Sequence, residues 1–308
     1  MPIIIPDKLP ATKTLTEENI FVMDNSRAGS QEIRPLDILV LNLMPTKIAT
    51  ETQLARVLGN TPLQVELELM QMKTHETKNV SRDHMLKFYS TFDDVKDRFF
   101  DGMIITGAPV ELLEFEAVEY WKELCAIMEW SRTHVYSTFH ICWGAQAGLY
   151  YHFGIPKVTL PEKMFGVFEH KCDRKKSILM RGFDDRFMVP HSRNTTVDRK
   201  DIENCKKLKI LASSEEAGVY VCMTDRGRQV FVMGHSEYDG ETLANEYFRD
   251  KALGLDIKVP KNYFPDDDDT KEPVVTWRSH ANLIYQNWLN YIVYQSTPYE
   301  INSITPVF

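Results

Sequence analysis

Short apolar runs alternate with amphipathic stretches over the first half of the chain. The apolar runs predict buried strands at residues 36–43, 65–69, 100–106 and 135–141. Residues 50–58 predict a helix closed by Gly59 and Asn60, and residues 115–130 predict a second helix whose apolar side chains recur at spacings of three and four. Strands that alternate with helices in this way predict a mostly parallel sheet with helices on both faces.

The second half of the chain is richer in strands. The pattern predicts them at residues 165–171, 208–212, 219–223 and 230–233. These strands fit the far edge of the same sheet, and helices are predicted at residues 241–251 and 277–294. The expected fold is therefore an α/β protein with a three-layer, mostly parallel sheet flanked by helices.

One compact domain with peripheral segments is the simplest organisation for a chain of 308 residues. Residues 1–34 are polar and interrupted by prolines, so we predict an irregular N-terminal arm that wraps around the domain. The domain itself is predicted to span residues 35–300, and residues 301–308 form a C-terminal tail.

Composition and charge exclude several classes of protein. The formal net charge of −8, without a dense stripe of Lys and Arg, argues against nucleic acid as a partner. Five cysteines without CxxC spacing disfavour a disulfide framework and a structural zinc site. No apolar run reaches transmembrane length, and the N-terminus does not resemble a signal peptide. The sequence predicts a soluble, cytoplasmic protein without a metal, and residues 266–269, all aspartates, as a solvated loop.

Cys142 is the first candidate for chemistry. It follows the predicted strand at residues 135–141 and precedes a predicted helix that opens with the small residues Gly144, Ala145, Ala147 and Gly148. A nucleophile elbow has this order of strand, nucleophile and helix, and the helix N-terminus favours a thiolate. The alternative is a buried core cysteine, which is the commoner fate of the residue type.

A nucleophilic thiol needs a base, and His235 is the best candidate. It follows Gly234 at the carboxyl end of the predicted strand at residues 230–233, where ligands gather in open α/β sheets. Glu237 lies two positions further on, so in an extended segment both side chains point to one side. We therefore predict that Glu237 orients His235 and stabilises its cation. The alternative is a histidine that satisfies a backbone group at the strand end.

Several motifs resemble known families. Residues 141–146 together with 234–237 resemble the Cys and His-x-Glu triad of class I glutamine amidotransferases. Further motifs, in order along nearly the whole chain, resemble the homoserine O-acyltransferases of the MetA type: residues 1–3, 33–36, 41–45, 51–54, 88–89, 106–109 and 191–193. The resemblance implies a glutamine-amidotransferase-like, flavodoxin-like fold and transfer of an acyl group from an acyl-CoA to the homoserine hydroxyl.

The resemblance also implies roles for the triad. Cys142 would carry the acyl group as a thioester in a ping-pong cycle, His235 would be the general base, and Glu237 would orient it. The oxyanion would be bound by the Trp143 backbone N–H and by an N–H of the turn that contains Gly107 and Ala108.

Four further positions are assigned by resemblance alone. Lys163, Ser192 and Arg249 would line the homoserine site, with Arg249 as a planar clamp for the carboxylate. Lys47, in the loop after the first long strand, is placed near the acyl or CoA site. Without the resemblance, Lys163 would be a solvated lysine, Arg249 would be a surface helix arginine paired with a neighbour, and Ser192 would be a turn residue.

Glu111 decides which acyl donor is expected. A glycine at this position would leave room for a succinyl chain, whereas a glutamate fills the space and repels a second carboxylate. In the resembled family, glutamate at this position accompanies acetyl-CoA and glycine accompanies succinyl-CoA. The alternative role for Glu111 is to cap the turn that follows.

The resemblance, together with Glu111, therefore implies transfer of an acetyl group to homoserine in methionine biosynthesis. Its expected partners are L-homoserine and acetyl-CoA as co-substrate, with no permanently bound cofactor, no nucleic acid and no membrane. A homodimer is suggested by the resemblance only. The alternatives are transfer from succinyl-CoA, a glutamine amidotransferase subunit that would need a synthetase partner, and a binding module on a catalytically idle fold.

Overall fold

One mixed sheet of twelve strands forms the centre of the computed structural model, which describes residues 3–6, 8–18, 20, 22–23, 34–75 and 79–307. The strands are β1 Ile3–Ile4, β2 Val22–Met23, β3 Leu36–Leu41, β4 Val65–Met70, β5 Tyr89–Ser90, β6 Phe100–Ile105, β7 Val135–Ile141, β8 Lys157–Cys172, β9 Arg186–Val197, β10 Leu208–Ser214, β11 Gly218–Thr224 and β12 Gln229–Val232. Their order across the sheet is β2-β1-β4-β3-β6-β7-β12-β11-β10-β8-β9, and β5 pairs with β4.

The sheet is parallel over one part and antiparallel over the other. Every pairing from β2 across to β12 is parallel, including β7 with β12. From β12 to β9 every pairing is antiparallel. The strand-rich second half is therefore the far edge of the same sheet, as predicted.

Helices cover both faces of the sheet. The α-helices are α1 Ala11–Glu17, α2 Lys47–Gly59, α3 Arg82–Phe88, α4 Phe92–Val95, α5 Trp121–His134, α6 Trp143–Phe153, α7 Arg199–Asn204, α8 Thr242–Ala252 and α9 Arg278–Asn287, which continues as a π-helix over Trp288–Tyr294. None of the described helices has the length and apolar content that a membrane span requires.

The alternation of β3 explains why its sequence is apolar at every position except Asp37. Ile38 and Val40 point into a core that includes Leu54 of α2, whereas Leu39 and Leu41 point into a second core with the side chains of α5. A strand buried on both faces needs apolar residues that point to each face, and the helices that cover these faces produce the predicted three layers.

The N-terminal segment is more ordered than predicted. Ile3–Ile4 pairs with Val65 and Glu66 of β4, and α1 buries Ala11 and Leu15 in the core. The prediction of an irregular segment is wrong for these residues, because a two-residue strand and a two-turn helix are too short to show a period. Residues 1, 2, 7, 19, 21 and 24–33 lie outside the described residues, including parts of the motifs at 1–3 and 33–36. The division into arm, domain and tail stays a prediction.

The acidic segment after α8 is held by lysines. Asp269 forms an ion pair with Lys251, and Asp266 forms one with Lys271. In the described part of the chain, no cluster of His, Cys, Asp or Glu has the arrangement of a metal site.

Candidate active site

Cys142 lies at a sharp turn between β7 and α6. Its backbone has φ 51° and ψ −113°, a region that non-glycine residues rarely adopt and that costs about 1–3 kcal/mol. The turn is fixed because the Cys142 N–H donates to Val232 O at 2.7 Å, and Gln146 N donates to Cys142 O at 3.1 Å. The thiol therefore lies at the N-terminus of α6, as the elbow pattern predicts.

Two glycines allow α6 to lie against the sheet at this turn. A Cβ on Gly144 would lie 2.5 Å from Thr106 O, and one on Gly148 would lie 2.8 Å from His140 Nδ1. Because neither contact leaves room for a side chain, the small residues after Cys142 are required by the close approach of helix and strands.

His235 and Glu237 form the other half of the arrangement. His235 Nδ1 donates to Glu237 Oε1 at 2.7 Å, and both side chains are buried. The imidazole also lies beside Cys142, because a Cβ on Gly107 would lie 3.4 Å from both Cys142 Cβ and His235 Cε1. With Nδ1 bonded to Glu237, the other ring nitrogen is the one available to the thiol. The structure thus brings the three predicted triad residues into one chain of contacts.

The surroundings of His235 favour its cation. Burial alone lowers its pKa, but the charges of Cys142 and Glu237 and hydrogen bonds to both outweigh burial and raise the pKa well above the usual value. The ring of Tyr238 lies flat against the imidazole, with ring centroids 4.1 Å apart and planes 13° apart. An imidazolium beside a cysteine is the arrangement that activates the thiol as a nucleophile and supplies an acid.

A cavity of about 640 Å³ opens in front of the triad. It is lined by residues that follow β3, β6, β7 and β12, together with residues of β9 and α8. Strands β3, β6, β7 and β12 are parallel, so the loops that follow them meet at one edge of the sheet. A ligand crevice is predicted at these carboxyl ends.

The predicted oxyanion donors are close to the thiol. Gly107 and Ala108 line the cavity, and a Cβ on Gly107 would lie 3.4 Å from Cys142 Cβ. Trp143 is the first residue of α6, and the first N–H groups of a helix have no partner within the helix.

The resemblance places Lys163 and Ser192 at the homoserine site, and both contact the carboxylate of Glu246. Glu246 was not among the residues predicted from the sequence. Glu246 Oε1 accepts hydrogen bonds from Lys163 Nζ at 2.5 Å and from Ser192 Oγ at 2.8 Å. All three line the cavity. The only signal for Glu246 in the sequence is its position one helical turn before Arg249, which places both on one face of α8.

Arg249 also lines the cavity, but its guanidinium is paired with a neighbouring carboxylate. Its guanidinium donates to Asp250 Oδ1 at 2.7 Å, and 60% of the side chain is exposed. This contact matches the alternative of a surface arginine paired with a neighbour. Its position on the cavity wall is compatible with the predicted clamp as well.

Glu111 is held by a residue that sequence reasoning did not identify. Its Oε1 accepts hydrogen bonds from Asn194 N at 2.8 Å and from Asn194 Nδ2 at 2.6 Å, and both residues line the cavity. Because β9 supplies these donors, capping of the following turn does not describe the environment of Glu111.

Lys47 lies behind the cavity wall. The prediction of a loop position is wrong, since Lys47 is the first residue of α2. The residue is 5% exposed and its Nζ donates to Asn42 O at 2.6 Å. The lining of the cavity includes Met44, Pro45 and Thr46 but not Lys47. Lys47 therefore holds the loop that forms the wall.

Burial of Lys47 should make stability depend on pH. Desolvation, opposed by Glu51, lowers its pKa from 10.5 to about 8. Between these values the folded chain has lost a proton that the unfolded chain keeps, so the free energy of unfolding rises with pH by up to about 1.4 kcal/mol per unit. Urea unfolding between about pH 8 and 10 should show this rise, and Lys47→Met should lack it. An equal slope in both proteins would contradict the assignment; the exposed Lys13→Met is the control.

Comparison with solved structures identifies the fold. A glutamine amidotransferase from Thermotoga maritima matches 85% of this chain and 100% of its own, with a TM-score of 0.53 and 12% identity. One from Methylobacillus flagellatus matches 85% of this chain and 96% of its own, with a TM-score of 0.51 and 11% identity. The predicted glutamine-amidotransferase-like α/β fold is confirmed.

Comparison of the sequence identifies the family. The model of the family described as homoserine O-succinyltransferase matches residues 2–299. Homoserine O-acetyltransferase of Clostridium novyi is 65% identical over 97% of this chain and 99% of its own length. The protein of the same name from Acetivibrio thermocellus is 64% identical over 99% of this chain and 100% of its own. This chain belongs to the homoserine O-succinyltransferase family.

Proposed function

We propose that this protein is a homoserine O-acetyltransferase, which transfers an acetyl group from acetyl-CoA to the hydroxyl of L-homoserine. The observation that carries the proposal is the cluster of Cys142, His235 and Glu237 at a cavity whose wall includes Glu111. Relatives of nearly full length that carry this name support the choice of substrates.

In the first half-reaction, Cys142 is acetylated. Its thiolate attacks the carbonyl carbon of acetyl-CoA, and the N–H groups of Trp143 and of the Gly107–Ala108 turn stabilise the oxyanion. The CoA thiolate leaves and takes the proton of the His235 imidazolium. The products are acetyl-Cys142, neutral His235 and free CoA.

In the second half-reaction, homoserine accepts the acetyl group. Neutral His235 takes the proton of the homoserine hydroxyl as its oxygen attacks the thioester. The Cys142 thiolate leaves, and the thiolate–imidazolium pair is restored. Glu237 stabilises the imidazolium at both stages, because its carboxylate lies 2.7 Å from His235 Nδ1.

The charges around Glu246 suit the amino-acid end of homoserine. Glu246 is the natural partner of the ammonium group, whereas Arg249 and Lys163 are partners for the carboxylate. Binding would exchange the internal pairs of Lys163 with Glu246 and of Arg249 with Asp250 for pairs with the substrate.

Glu111 supports acetyl-CoA as the donor. Replacing it with glycine should open the acyl pocket and remove a negative charge, so Glu111→Gly should gain succinyl transfer by at least about 10-fold relative to the unmodified protein. The measurement is kcat/KM for acetyl-CoA and for succinyl-CoA at fixed homoserine. An unchanged preference would place the selectivity elsewhere in the site.

A direct assay tests the proposal against the function of its structural neighbours. Release of CoA thiol from acetyl-CoA should require homoserine and should yield O-acetylhomoserine. Incubation with glutamine should release no ammonia. Ammonia from glutamine, with no acetyl transfer, would instead favour a glutamine amidotransferase subunit.

A further inference from the structure

The wall of the cavity contains a pair of hydrogen-bond donors that converge on one carboxylate oxygen. The backbone N–H and the side-chain amide of Asn194 both donate to Glu111 Oε1, at 2.8 Å and 2.6 Å. Charge-assisted hydrogen bonds of this length are stronger than those between neutral groups. The carboxylate of Glu111 is therefore held against β9 by two hydrogen bonds.

The backbone of Glu111 is held as firmly as its carboxylate. Lys157 Nζ donates to Glu111 O at 2.5 Å and also to Leu113 O. The ammonium group lies 5.0 Å from the centroid of the Phe115 ring. These contacts fix the loop, so removal of the Glu111 side chain would leave the Asn194 donors facing the acyl pocket.

A buried positive charge lies beside these donors. Arg193 is 0% exposed, and its guanidinium donates to His191 Nδ1, Thr195 O and Ala217 O. Burial lowers the pKa of Arg193, and the charges of Cys142 and Glu111 oppose that effect. The positive charge of Arg193 therefore favours an anion at the Asn194 donors.

We propose that the Asn194 N–H and Nδ2 form a carboxylate subsite of the acyl pocket, which Glu111 fills in this protein. When Glu111 is replaced with glycine, the subsite receives the terminal carboxylate of a dicarboxylic acyl donor such as succinyl-CoA. This inference rests on the proposed acyl transfer. Glu111 then acts in two ways. Its charge repels the terminal carboxylate of the acyl donor, and its side chain occupies the hydrogen-bond donors that would bind that carboxylate.

The test compares a charged donor with an uncharged donor of similar length. The ratio of kcat/KM for succinyl-CoA to kcat/KM for butyryl-CoA is measured for Glu111→Gly, for Glu111→Gly with Asn194→Ala, and for Glu111→Gly with Asn194→Asp. Alanine removes the side-chain donor only, and the ratio should fall about 10-fold. Aspartate keeps the shape and adds a negative charge, so the ratio should fall further.

Two results would overturn the subsite. One is a ratio in both double variants equal to that of Glu111→Gly, because Asn194 would then not bind the carboxylate. The other is no gain of succinyl transfer in Glu111→Gly, because the vacated donors would attract no anion. Acetyl transfer by the unmodified protein is measured in the same series. Its absence would contradict the proposed function, whereas its presence with either of these results contradicts the subsite only.

Discussion

Replacing Cys142 with alanine should lower kcat for acetyl transfer by at least about 10⁴-fold. The side chain is the only thiol on the cavity wall among the described residues, and it lies beside His235, the proton carrier of the proposed mechanism. Without the sulfur, no thioester forms, and direct attack of homoserine on acetyl-CoA lacks a positioned nucleophile. The measurement is CoA release at saturating substrates.

A second cysteine provides the control for this variant. Burial raises the pKa of Cys125 to about 11, which makes it a poor nucleophile near neutral pH, and it lies on α5 rather than on the cavity wall. Cys125→Ala should retain nearly full activity. Thermal unfolding of both variants separates loss of chemistry from loss of fold. Appreciable turnover by a folded Cys142→Ala protein would disprove the covalent mechanism.

Replacing Glu237 with glutamine should lower kcat/KM by about 10³-fold or more, because this carboxylate fixes the His235 tautomer. The same change should alter the pH profile. The charge of Glu237 helps to raise the pKa of His235, so its removal lowers that pKa. Acylation needs the imidazolium to protonate the leaving CoA, and the alkaline limb of kcat/KM for acetyl-CoA should therefore move to lower pH.

The pH profile distinguishes an electrostatic role from a structural one. A merely loosened site would lose activity at every pH without moving the alkaline limb. Glu215→Gln is a suitable control, since the Glu215 side chain is 93% exposed. An alkaline limb in Glu237→Gln at the same pH as in the unmodified protein would contradict the assigned role.

The parallel half of the fold could be predicted because burial on both faces leaves a simple pattern. Apolar residues predominate in Leu36–Leu41, Phe100–Ile105 and Val135–Ile141, nearly every residue of these strands is buried, and each strand was expected within two residues of its observed end. β9 (Arg186–Val197) was missed, since its buried residues change from apolar ones such as Phe187 and Val189 to polar ones such as His191 and Arg193. Inside the protein these polar residues form hydrogen bonds with one another. No local sequence pattern reveals such contacts.

The candidate site was predictable where its residues share a motif. The small residues after Cys142 and the His-x-Glu spacing each have a local physical reason, and the structure brings these side chains together. Glu246 and Asn194 act through partners far away in sequence, so their roles appear only once β9 and α8 line one cavity. The position of Lys47 near the acyl or CoA site stays a prediction. A cytoplasmic location and a homodimer stay predictions.

Intact-protein mass spectrometry after mixing with acetyl-CoA, in the absence of homoserine, tests the central claim most directly. We predict a mass increase of one acetyl group, located on Cys142 by peptide mapping and removed when homoserine is added. Cys142→Ala should show no adduct, and succinyl-CoA should label the unmodified protein far less. Acetyl transfer without any adduct, or an adduct that homoserine does not discharge, would contradict the thioester mechanism.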